Sequence, residues 1–373
     1  MIYFDTGATT LQKPEAVARA MYRAVSTLSS PGRGSYPATR AAEAVDLECR
    51  TQAAALFGVE EPERVVFTSC ATHGLNIAVK TLVKPGGRAI ISGYEHNAVT
   101  RPLHAIPGVE ITVADAPPFA PEEMVRQFAA ALERPADAVI CTHVSNVFGY
   151  RLPVEEIAAL CREKGVPLVL DASQSAGILP VDMKKLGAAF IAMPGHKGLY
   201  GPQGTGLLLC GAEPAPLLQG GTGSQSILQQ MPDELPDRLE PGTHNMPGIA
   251  GLLEGLRFVR SQGTERIAAH ERKLTRRCAA LLADIPGAEC FFAEEDSVQT
   301  GVLSFRVKGW DCEALGEALA RQGVALRAGL HCAPLAHRTV GTLDTGTVRF
   351  SPSAFNTAQQ VDEFARVLRR TVR

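Results

Sequence analysis

Apolar residues recur at helical spacing from about Pro14 to Leu56, broken by Ser30-Pro31-Gly32-Arg33-Gly34, and Arg64-Val-Val-Phe-Thr68 then reads as a short buried strand. From there helix and strand alternate. The pattern predicts a helix from Thr72 to Val83, a strand from Arg88 to Ser92, a helix from Pro121 to Leu132 and a strand from Ala138 to His143. A helix from Pro153 to Lys164 and a strand from Val166 to Asp171 continue it. Such alternation implies a mostly parallel sheet covered by helices, with ligand groups gathered at the strand ends.

Gly248 to Arg260 looks like a long helix leaving that sheet, and Glu265 to Ile285 like another. A second, smaller α/β unit follows. Its predicted elements are strands from Val302 to Val307, Val324 to Arg327 and Thr347 to Ser351, and helices from Asp311 to Gln322 and Ala358 to Arg370. There is no internal repeat and no long low-complexity linker.

Length and charge narrow the function classes. The 373 residues suffice for two ordinary domains or one large α/β domain with an appendage, so stability without disulfides is expected. A formal net charge of -2, spread along the chain, offers no basic stripe for nucleic acid and favours a small-molecule substrate. The opening MIYFDTGATT lacks the features of a signal peptide, and no later run approaches the roughly 20 apolar residues that span a bilayer. A cytoplasmic protein without a membrane anchor is expected. The nine cysteines are scattered, with no Cys-x-x-Cys pair, and the histidines miss zinc-binding spacings, so no metal is expected.

The most informative segment is Met193-Pro-Gly-His-Lys-Gly-Leu-Tyr-Gly-Pro-Gln-Gly-Thr-Gly206, where one lysine sits in a glycine-rich turn between two apolar strands. Glycines let a backbone approach a planar cofactor, and an amine whose pKa is lowered becomes a Schiff-base nucleophile. Taken alone, the segment also reads as a tight hairpin with an exposed Lys197. Upstream, Asp171 ends a strand, where it can hold a pyridine nitrogen protonated or simply cap a helix; Gln174 can donate to a ring oxygen. Ser69-Cys-Ala-Thr-His-Gly-Leu-Asn76 joins a strand to a helix, so its amides and the Thr72 hydroxyl can receive a phosphate or serve as an ordinary N-cap. In Tyr94-Glu-His-Asn97, His96 is placed to stack on an aromatic ring, although a lone histidine is more often structural. Cys332, in Arg327-Ala-Gly-Leu-His-Cys-Ala-Pro334, follows a predicted strand in a small-residue segment that suits an exposed thiol, and Arg327 and His331 can favour its thiolate.

Taken in order, these motifs resemble the class V aminotransferase superfamily of pyridoxal-phosphate (PLP) enzymes, especially its cysteine desulfurase and selenocysteine lyase branch. The landmarks run from Phe4-Asp-Thr-Gly-Ala-Thr-Thr10 through Pro31-Gly-Arg-Gly34, Ala71-Thr-His-Gly-Leu-Asn76, Glu95-His96, His143-Val-Ser-Asn146 and Asp171-Ala-Ser-Gln174. They continue with Gly195-His-Lys197, Gly242-Thr-His-Asn245, Arg327-Ala-Gly-Leu-His-Cys332 and Gly346-Thr-Val-Arg349, covering nearly the whole chain. The resemblance implies fold type I, with residues 15–255 as the large PLP-binding domain and 1–14 with 256–373 as the small one.

It also implies that Lys197 is the Schiff-base lysine, that Asp171 pairs with the pyridinium, that Gln174 meets the ring hydroxyl and that His96 stacks on the ring and takes part in catalysis. Ala71, Thr72 and His196 would bind the cofactor around its phosphate, and Thr243 would reach the phosphate of a neighbouring subunit, making a homodimer the minimum assembly. Asn146, also a cofactor contact, would hold the substrate carboxylate with Arg327 and Arg349, and Cys332 would accept the sulfur.

The implied reaction converts L-cysteine to L-alanine with a persulfide on Cys332, for transfer to a sulfur-acceptor protein. Alternatives are selenocysteine lyase acting on L-selenocysteine, a PLP-dependent aminotransferase or C–S lyase, and a protein that only carries sulfur. The chain departs from the pattern at Thr6-Gly7, where Asn-Ala is usual, at Pro194 for a hydroxyl residue, at His73 for a glutamate and at Ser35-Tyr36 for a histidine.

Overall fold

The computed structural model describes residues 1–32 and 34–373; Arg33, within the Pro31–Gly34 landmark, lies outside the described residues. A seven-stranded sheet carries the first part of the chain, in the spatial order Val65–Thr68, Gly206–Cys210, Phe190–Pro194, Leu168–Asp171, Ala138–Thr142, Arg88–Ser92 and Glu110–Ala114. Only Gly206–Cys210 runs antiparallel to its neighbours. Every residue of the four strands Arg88–Ser92, Ala138–Thr142, Leu168–Asp171 and Phe190–Pro194 is buried, as expected for a parallel sheet covered on both faces. Separate apolar clusters fill the two faces. One holds Ile90, Val139, Leu170 and Ile191, the other Ile91, Ile140, Val169 and Ala192, the alternation that a period of two imposes.

A four-stranded antiparallel sheet forms the smaller unit, in the order Arg327–Gly329, Thr347–Phe350, Leu303–Val307 and Ala288–Phe291. Its apolar core includes Phe305, Phe350 and Phe364, and the N-terminal Phe4 is inserted among them. Ile2–Tyr3 pairs in parallel with Val324–Ala325, and Phe364 stands on the closing helix Ala358–Thr371, begun by a Thr357 and Gln360 capping box.

Most predicted elements lie where the periodicity places them, within a few residues at their ends. The long helix is Met246–Gln262 and the next is Thr264–Ala283. One element is corrected: residues 324–327 form no single strand, because the chain leaves Val324–Ala325 in one sheet and enters Arg327–Gly329 in another.

Candidate active site

The C-terminal ends of the parallel strands open on a cavity of about 220 Å³. Asp171 reaches its wall as the last residue of a buried strand, with Oδ1 accepting the Ser173 amide at 2.9 Å. Lys197 lies in the turn joining Phe190–Pro194 to Gly206–Cys210, so the segment is a hairpin. Its lysine is directed inward. The Thr10 hydroxyl donates to the Lys197 carbonyl at 2.6 Å, and a Cβ at Gly198 would run into the Ala176 carbonyl, which requires glycine there. Burial pulls the Lys197 amine down to about 8, opposed by Asp171 and aided by Arg349 and Arg327.

His96 caps the helix Asn97–His104, with Nδ1 accepting the Ala98 amide at 3.0 Å. Burial pushes its pKa down to about 4, so at neutral pH the ring is uncharged and its one proton sits on Nε2. His196 is likewise lowered to about 4 by burial, and its Nδ1 stands 3.0 Å from Thr9 Oγ1. Ala71 and Thr72 begin the helix Ala71–Leu82, whose cap residue Cys70 offers no side-chain bond to the helix amides, leaving the positive helix end facing the cavity.

Arg349 is fully buried, donating from Nη1 to the Asn146 carbonyl at 2.9 Å and from Nη2 to Asp5 Oδ1 at 2.6 Å. Its Nε has no partner among the described residues, and neither does Asn146 Oδ1. Asn146 Nδ2 donates to the His331 carbonyl at 2.8 Å, so its unpartnered atom is an acceptor, whereas the unpartnered Arg349 Nε is a donor. Gln174 lines the cavity, but its Nε2 donates to the Gly7 carbonyl at 2.9 Å. Gly7 is tight in a different way. A Cβ there would lie 3.0 Å from the Arg349 guanidinium carbon.

Arg327 lines the cavity and links it to the thiol, with Nη2 3.4 Å from Cys332 Sγ. Cys332 is exposed. It and His331 adopt consecutive left-handed conformations at φ 57° and 50°, and both their carbonyls are bonded, to the Asn97 amide and to Asn146. His331 supplies no positive charge to the thiolate: burial lowers its pKa well below the usual value, and Nε2 is spent on Thr347. That part of the sequence expectation is corrected, leaving Arg327 as the adjacent cation.

The cavity thus gathers Lys197, Asp171, His96, His196, Ala71 and Thr72, together with Asn146, Gln174, Arg327 and Arg349. Two predicted residues stand outside its wall. Cys332 touches it through Arg327, and Thr243 is exposed on a separate cavity of about 480 Å³ bordered by Phe67, His73 and Glu240. Sequence reasoning assigned no role to Asp5 or Gly7, although both lie in the Phe4–Thr10 landmark that it singled out. No group of three or more metal-ligating side chains occurs among the described residues, and no described helix is long and apolar enough to cross a membrane.

The residues present fit PLP. A half-buried amine with lowered pKa, a buried carboxylate, an uncharged imidazole and an uncapped helix end surround one small cavity, with an unpartnered guanidinium nitrogen beside it.

Comparison with known proteins agrees with this chemistry. The family model for class V aminotransferases matches residues 2–364. A probable cysteine desulfurase of Mycolicibacterium paratuberculosis is 33% identical over 99% of this chain, and the chain spans only 55% of that protein. A probable cysteine desulfurase of Methanothermobacter thermautotrophicus is 30% identical over 96% of this chain and 92% of its own length. The apo structure of a cysteine desulfurase from Thermococcus onnurineus superposes with a TM-score of 0.91 at 29% identity, covering 100% of this chain and 94% of that one.

Proposed function

The chain belongs to the class V aminotransferase family, and we propose that it is a PLP-dependent cysteine desulfurase converting L-cysteine to L-alanine with transfer of the sulfur to Cys332. One observation carries the reading: Arg327 lines the cavity that holds Lys197, Asp171 and Arg349, and also touches the exposed thiol of Cys332. Lys197 would hold the cofactor, with Asp171 at its ring nitrogen and Ala71, Thr72 and His196 around its phosphate. When bound, PLP supplies an electron sink for the pair left at the substrate α-carbon.

The substrate carboxylate is received by Arg349 Nε, with Arg327 as the second cation. Lys197, released as a neutral amine, takes the α-proton and returns one to the product. His96, with its proton on Nε2, is placed to donate or accept at the reacting sulfur. The Cys332 thiolate attacks that sulfur; an S–S bond forms as the C–S bond breaks, the cysteine thiols are oxidised to the persulfide level and the β-carbon is reduced to the methyl of alanine. No external oxidant is needed. The same reading takes residues 15–255 as the cofactor-binding unit, with 1–14 and 256–373 as the smaller one. It also makes the protein a cytoplasmic homodimer in which Thr243 serves the neighbouring subunit, and it passes sulfur to an acceptor protein.

The deciding experiment is product analysis of the PLP-loaded protein given L-cysteine or L-selenocysteine, for wild type and Cys332→Ala. Alanine from cysteine only in wild type is the expected result. Turnover of selenocysteine alone, surviving the substitution, would replace the desulfurase with a selenocysteine lyase, and a keto acid in place of alanine would indicate an aminotransferase.

A further inference from the structure

His244 lies next to Thr243, just before the helix Met246–Gln262, in a position the reaction itself does not use. Its Nδ1 stands 3.2 Å from Asp46 Oδ1 and its Nε2 3.3 Å from Glu240 Oε2. Carboxylates only accept, and a neutral imidazole carries a single N–H, so both contacts are favourable at once only for the imidazolium. The charge count agrees. Arg50, from the helix Pro37–Phe57, donates from Nη2 to Glu240 at 2.7 Å and from Nε to Asp46 at 2.8 Å. With His244 protonated, two cations balance two carboxylates in a largely buried cluster; without its proton, one negative charge is uncompensated.

The other groups facing His244 leave this balance unchanged. The Phe67 amide donates to Glu240 Oε1 at 2.6 Å, and the Phe67 ring lies under the Arg50 guanidinium at 4.1 Å. His73 borders the same cavity, but burial lowers its pKa and it brings no charge at neutral pH. The hydrogen bond to Asp46 and the nearby carboxylates raise that of His244. Two residues after Thr243, Asn245 fixes the start of the helix, its Oδ1 accepting the Gly248 amide at 3.0 Å. His244 adds the link from this segment to the helix Pro37–Phe57.

We propose that His244 is a positioning residue, an imidazolium clamped between Asp46 and Glu240 that fixes Thr243 for the cofactor phosphate and so makes phosphate-dependent cofactor retention weaken at alkaline pH. The inference rests on the reading of Thr243 given above. Its sign follows from the contacts: as pH rises and the imidazolium loses its proton, a single N–H can no longer serve both Asp46 and Glu240, one side of the clamp opens and Thr243 is less firmly held.

The test is equilibrium dialysis of PLP, and of pyridoxal lacking the phosphate, against wild type, His244→Asn and Thr243→Val from pH 6 to 9. His244→Asn should weaken PLP about tenfold at pH 6, the worth of one charge-assisted hydrogen bond, and flatten the pH profile while leaving pyridoxal unaffected. PLP binding that is unchanged in Thr243→Val overturns the reading of Thr243. Weakening in Thr243→Val with a wild-type profile in His244→Asn overturns the clamp alone. Nitrogen NMR of the histidines in wild-type holoenzyme needs no variant, and a neutral His244 ring at pH 6 would also overturn it.

Discussion

Arg327 Nη2 stands 3.4 Å from Cys332 Sγ, which places a fixed cation against the exposed thiol. Replacing Arg327 by alanine removes one hydrogen bond to a charged group, a loss of about 1.5–3 kcal/mol, or about 10- to 100-fold in rate. Alanine formation from L-cysteine should fall by that factor, and iodoacetamide labelling of Cys332, followed by mass spectrometry, should slow with it. Unchanged labelling with lost turnover would assign Arg327 to the substrate alone.

The Arg349 fork is divided between Asp5 and the Asn146 carbonyl, with Nε unpartnered, and the proposed function gives Nε to the substrate carboxylate. A lysine ammonium has three donors but on a single nitrogen, so it cannot reproduce the planar spread of Nε, Nη1 and Nη2. Steady-state kinetics of Arg349→Lys should show KM for L-cysteine raised about 10- to 100-fold, with a smaller fall in kcat.

The pH profile of cofactor capture follows from Lys197. Because its pKa is lowered to about 8, the neutral and therefore nucleophilic fraction rises as pH rises through that value. Stopped-flow absorbance after mixing apoprotein with PLP should give a rate that climbs from pH 7 to 9 and then levels off. A rate that climbs only above pH 10 would place the lysine in an aqueous setting.

Gly255 in the helix Met246–Gln262 packs against the lysine turn two residues beyond Lys197, and a Cβ there would run into the Leu199 carbonyl. Gly255→Ala should therefore destabilise the fold by about 1–3 kcal/mol through overpacking. Thermal melting checks this, and PLP binding by the variant should weaken because the displaced segment carries Lys197.

The alternation of buried strands and helices was legible because four of the parallel strands are buried throughout and read as largely apolar runs. Among the elements that were not, two show why. The strand Glu110–Ala114 lies at the sheet edge with Glu110 and Val113 exposed, so its pattern is diluted, and the helix Asn97–His104 contains Pro102, which reads as a stop. The site was legible through its ordered motifs, and the cavity brings together residues as distant as His96 and Arg349. The state of His331 was hidden, since only packing shows that its ring is buried and bonded to Thr347. Thr243, which the motifs assign to a neighbouring subunit, lines a separate cavity in its own chain.

The N-terminal segment threads through the whole arrangement: Ile2 pairs with Val324, Asp5 meets Arg349 across 344 positions, and the Gly7 carbonyl receives Gln174. Residues 2–7 therefore wait for partners that lie more than 160 and as many as 344 positions later in the chain. A growing chain can build the seven-stranded sheet early, yet the cavity wall that holds Arg349 closes only once residue 349 has joined the N-terminal segment, so the pocket is completed by one of the longest-range contacts in the fold.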